Sequence, residues 1–208
     1  MLLENAIMEL FQRTEQVLGA THQYSCSKRK REREKLMGCD IHCYLARRLK
    51  DKNGYHWEAA PIYEKICAWG ENHEHMELCE AYKGRNYQLF GVLAGVRDIS
   101  YEPIVEPRGL GDACPAEIVK EYESGGGLSC YHHASWLGLN EIAEALHDKK
   151  RYPKWETYLC EDGSRVKTGE EGPHKSLKRF YNAMIAFAEI AWYYVDPQDV
   201  RVYFWFDS

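Results

Sequence analysis

Met-Gly-Cys-Asp-Ile-His-Cys-Tyr-Leu, residues 37–45, is the stretch from which the fold can be read. Alternation along a strand sends Cys39, Ile41, Cys43 and Leu45 to one face and Asp40, His42 and Tyr44 to the other. The first set suits a core. The second sets a carboxylate and an imidazole on one face, roughly 7 Å apart at the usual strand rise. Asp-x-His on a strand can seed a metal site or an acid/base pair. The turn at Asn53-Gly54 is a hairpin signal, so Tyr55 to Ala60 is expected to return as a second strand.

Downstream, Pro61–Glu80 is expected to be a polar loop or ragged helix. Within it, Glu71-Asn72-His73-Glu74-His75 has the residue types of a metal cluster without the spacing of one. Asn86 is a plausible cap for a helix carrying Tyr87, Phe90, Leu93 and Ala94, with Gly95 and Arg97 closing it. Pro103–Asp112 holds two prolines and two glycines and reads as a shaped loop. Pro115 opens a short helix to Glu123, and the triple glycine at 125–127 lacks the Lys-Ser/Thr of a phosphate loop. Tyr131–Leu137 is extended, and Asn140 is expected to cap a helix through His147. Lys149–Pro173 is mostly irregular, with a hairpin signal at Asp162-Gly163. Lys175–Tyr194 is the clearest amphipathic helix. Val200–Asp207, dense in aromatic residues, is the last strand and is expected to be central.

These elements predict an α+β fold with a mainly antiparallel sheet, helices packed on it, and the first and last strands adjacent. In that pairing Phe204 and Phe206 share a layer with Ile41 and Cys43. Tyr203 and Trp205 lie on the side of Asp40 and His42, and Asp207 comes close to Asp40. The domain is expected to span 37–208. Residues 1–36 form an N-terminal extension whose charge run, Lys28–Lys35, reads as a disordered tail, a basic arm for nucleic acid, or an untranslated leader read in frame.

The whole-chain totals restrict function. With 27 basic and 32 acidic residues, the net charge of −5 gives no global attraction to nucleic acid or anionic membrane. No stretch has the roughly 20 apolar residues needed to span a bilayer. The eight cysteines contain no Cys-x-x-Cys pair and no secretion signal precedes them, so reduced thiols and a cytoplasmic location are expected.

Several segments together resemble a family of uncharacterised phage and prophage proteins. They are Met-Gly-Cys-Asp-Ile-His at 37–42, Gly-Arg-Asn-Tyr-x-Leu-Phe-x-x-Leu-Ala-Gly-Val-Arg at 84–97, Glu-Pro-Arg-Gly-Leu at 106–110, His-x-x-Ser-Trp-Leu at 132–137 and the closing Val-Arg-Val-x-Phe-Trp-Phe-Asp. The resemblance implies a phage origin, within a bacterial host, and a start at Met37. It brings no activity with it. Anchored on Trp136, the matching histidine is His132.

Two functions of different class fit the polar residues. As a binder of a small anionic, nucleotide-like ligand, the domain would use Arg85, Arg97, Glu106 and Arg108, with Trp136 as a stacking surface. A phage could use such a binder to sequester a host defence signal. As a metal-dependent phosphoesterase or nuclease, it would hold a divalent ion on Asp40, His42, His132 and Asp207, with Asp40, His42 and His132 as catalytic residues. Asp-x-His occurs in metallophosphoesterases, but their downstream motifs are missing here. Inhibition of a host protein is a third reading, and a homo-oligomer is compatible with each. The convergent-site reading requires loop 106–112 and His132 to approach His42.

Overall fold

A computed structural model describes residues 38–67, 74–97, 102–148, 157–159, 165–167 and 173–207. The expectations for residues 1–36 and for Glu71, Asn72 and His73 lie outside them. Cys39–Asp207 form one compact unit.

The fold is α+β. Strands β1 (Ile41–Asp51), β2 (Gly54–Ala59), β5 (Tyr131–Gly138) and β8 (Val200–Asp207) make a four-stranded antiparallel sheet in the order β2-β1-β8-β5. The first and last strands are therefore neighbours, and β8 is central. The register sets Ile41 against Phe206, His42 against Trp205 and Cys43 against Phe204. Two small hairpins complete the strands: β3 (Tyr63–Cys67) with β4 (Glu74–Leu78), and β6 (Thr157–Leu159) with β7 (Arg165–Lys167). The first replaces the loop or ragged helix expected over 61–80. The second matches the hairpin signal at Asp162-Gly163.

Both faces of the sheet are covered. On one, Ile41, Cys43, Leu45, Val202, Phe204 and Phe206 meet helices α1 (Tyr87–Ala94), α3 (Leu139–His147) and α4 (Pro173–Trp192). On the other, Tyr44, Ala46, Tyr203 and Trp205 meet Ile118 of α2 (Ala116–Ser124) and Leu78 of β4. A strand buried on both faces explains why residues 200–206 lack polar alternation.

Local chemistry fixes the elements around the sheet. Asn86 caps α1 by accepting from Leu89 N at 3.1 Å, and Gly95 ends it at φ 67°. The cap of α3 differs from expectation. Gly138 occupies that position and Asn140 lies inside the helix, because Glu141 reaches back to accept from Gly138 N at 2.7 Å. Loop 106–112 lies along β5, where Gly109 N donates to Ala134 O at 2.9 Å and Arg108 N to Ser135 Oγ at 3.3 Å. Gly109 and Gly111 supply the left-handed turns, at φ 69° and 73°.

Candidate functional site

β1 begins, β8 ends and β5 begins at one end of the sheet, and the polar residues gather there. Asp40 N donates to Asp207 Oδ1 at 2.7 Å, and Asp207 N returns a bond to Asp40 O at 3.2 Å. Asp40 accepts both arms of Arg85, Nε at 2.7 Å and Nη2 at 2.6 Å. This fork holds the Asp40 carboxyl below its ordinary value. Next along β1, His42 Nδ1 lies 2.5 Å from Glu80 Oε1, and Nε2 lies 3.5 Å from Asp207 Oδ2 without forming a hydrogen bond. Burial disfavours the imidazolium, but Glu80 and Asp207 outweigh it and raise the His42 pKa. His42 lines a cavity of about 400 Å³ with Tyr44, Lys83, Tyr131 and glutamates 64, 77, 80 and 121. Four carboxylates against one lysine make that cavity a poor host for an anion.

His132 belongs to the opposite face. It pairs with Phe206 and its ring stacks on that phenyl, with centroids 6.0 Å apart and planes 20° apart. His42 stacks instead on Trp205, the neighbouring residue whose side chain points the other way. Asp207 is bonded to Asp40 and lies 3.5 Å from His42, but the Asp40 carboxylate is taken by Arg85 and His132 stands on the other face, so among the described residues these four are not arranged as one donor set. Among the described residues no group of three or more His, Cys, Asp or Glu is arranged to hold a metal ion.

A bulge between His132 and Ser135 interrupts the pairing of β5 with β8. There His133 adopts φ 53°, a left-handed conformation uncommon outside glycine. The result brings the two adjacent imidazoles together, Nδ1 to Nδ1 at 2.7 Å. Burial, then the charges of His133 and Arg97, lower the pKa of His132. Both histidines line an open cleft of about 970 Å³ with Gly95, Glu102, Pro103, Glu106, Pro107 and Tyr131. Arg97, itself left-handed at φ 65°, contacts the Cys39 thiol. Glu106 and His132 thus share one cleft, with Arg97 in electrostatic reach of His132.

Arg108 and Trp136 have a different job. Arg108 Nε donates to Trp136 O at 2.9 Å and Nη2 to Glu141 Oε2 at 2.8 Å. Its guanidinium carbon sits 3.6 Å from the Trp136 ring centroid, and that of Arg201 sits 3.7 Å from the same ring. Two guanidinium groups therefore stack on the indole, and Arg108 is spent on joining loop, strand and helix. Of the three arginines expected to meet an anion, Arg85 is paired with Asp40 and Arg108 with Glu141, while Arg97 lies beside Cys39.

Sequence reasoning missed Glu80, Glu102, Tyr131 and the pairing role of His133. Glu80 and Glu102 lie in segments with no periodicity to orient them. The His132-His133 doublet was visible, but not the bulge that turns both rings to one side. No family model, curated protein or solved structure matches the chain. No helix among the described residues is long and apolar enough to cross a membrane.

Proposed function

We propose that this domain binds a small nucleotide-like ligand in the cleft beside His132, and that its role is sequestration of a host signal of that chemistry. One observation carries the reading: Glu106 and His132, both singled out from the sequence, line one cleft of about 970 Å³. That volume falls at the upper end of the range of small-molecule sites. The walls suit a base and a sugar. Tyr131, His132 and His133 are rings on which a base can stack, Pro103 and Pro107 give apolar contact, and Glu102 and Glu106 accept from hydroxyl or amino groups. The carboxylates favour a ligand whose base and ribose, more than its phosphate, make the contacts.

Calorimetric titration of the protein with nucleosides, mononucleotides and linear or cyclic dinucleotides tests this. Saturable binding of at least one of these is expected, weakened tenfold or more in His132→Ala and in Glu106→Gln, and unchanged in Arg85→Lys. If none binds, or if both cleft variants bind as the wild type does, the reading fails.

A further inference from the structure

We propose that the His132–His133 pair is a chelating site for a borderline divalent transition metal such as zinc or cobalt, seated at the mouth of the cleft. Consecutive residues of a regular strand point to opposite faces. Here the bulge and the left-handed His133 bring both rings to one side, and their Nδ1 atoms face each other 2.7 Å apart. A bulge that re-aims a side chain, paid for with backbone strain, is a feature that concentrates at functional sites.

The geometry is close to that of a chelate. Two imidazole nitrogens bound to one ion at about 2.0–2.1 Å lie roughly 2.9–3.4 Å apart at tetrahedral or right angles. Small rotations of two rings that are already nearly perpendicular, at 84°, supply the difference. Without an ion, two neutral rings facing through Nδ1 need one to donate to the other. Doubly protonated rings repel. An ion satisfies both lone pairs together. Imidazole selects zinc, cobalt, nickel or copper over magnesium or calcium.

No third His, Cys, Asp or Glu among the described residues completes a donor set. The remaining positions would therefore be taken by water or by an oxygen of a bound molecule. An ion held there would also add positive charge to a cleft lined by Glu102 and Glu106. The site rests on the histidine geometry, not on the ligand proposed above, and it can be tested with metal alone.

The full chain, stripped of metal by a chelator, is titrated with cobalt(II) at pH 7.5 and followed by absorption spectroscopy. Saturation at one ion per chain is expected, with d–d bands and no thiolate charge-transfer band from the nearby exposed Cys130. His133→Asn and His133→Gly both tolerate the left-handed backbone, so each variant should fold, and each should lose tenfold or more in cobalt affinity. His42→Ala, on the other face, should bind as the wild type does. Absence of saturable binding, a thiolate band at saturation, or equal affinity in the His133 variants would overturn the assignment. It would leave the nucleotide titrations, done without metal, to be judged on their own.

Discussion

His42 shows how one residue makes the fold sensitive to pH. Burial opposes its charge, but Glu80 and Asp207 raise its pKa in the folded state above the unfolded value near 6.5. A raised folded pKa means that the stabilisation is fully present below about pH 6.5 and is lost as pH rises through the folded value. His132, with its pKa lowered, acts in the opposite sense and loses stability as pH falls. Urea midpoints measured between pH 5.5 and 9 in the wild type and in His42→Gln separate the two. The difference between the proteins should shrink as pH rises, and a constant difference would show that His42 is not charged in the fold. Arg108 makes a second case. Replacement by Lys removes the fork to Trp136 O and Glu141 and the stacking on the indole, and is expected to cost about 1 kcal/mol in urea unfolding. Unchanged stability would show the contacts to be incidental. The proximity of Asp40, His42 and Asp207 was legible because period-two alternation and strand pairing determine it. The face of His132 was not. Its parity depends on how β5 registers against β8, and a shift of one residue reverses every side chain. Nor could sequence show that Arg108 was already occupied, since Glu141 reaches it only through the turn into α3.

At the level of elements, the helices were the most legible. α1 was recognisable from its cap residues as much as from its apolar stripe. Asn86→Ala removes the bond to Leu89 N and is expected to destabilise by about 1 kcal/mol, read as a fall in the urea midpoint. Asn86→Ser, which restores a capping oxygen, should recover most of the loss, and equal losses in both would point to the Asn86–Ser176 bond instead. The hairpin of β3 and β4 escaped recognition. Its five-residue strands pair only with each other, so the composition carries no trace of a wider sheet. That hairpin nonetheless brings Glu80 to His42, and with it the pH response. Asn140 was misread as a cap because its residue type suits one. Glu141, one position further, fills the same need from inside the helix.

Over the whole molecule, the aromatic density of β8 announced its central place, and burial bears this out: Tyr203, Phe204, Trp205 and Phe206 are each at most 1% exposed. The two faces they define also divide the polar residues, with His42 on the side of Trp205 and His132 on the side of Phe206. The central strand has a further consequence. Asp40 and Asp207, bonded to each other, stand 167 residues apart in the chain. During synthesis from the amino terminus, β1, β2, β5 and helices α1 to α4 leave the ribosome before the strand that lies between β1 and β5. Until β8 follows, both halves of the hydrophobic interior lack their shared wall, and β1 and β5 present open edges to whatever is nearby. Completion of the sheet between β1 and β5 therefore waits for residues 200–207.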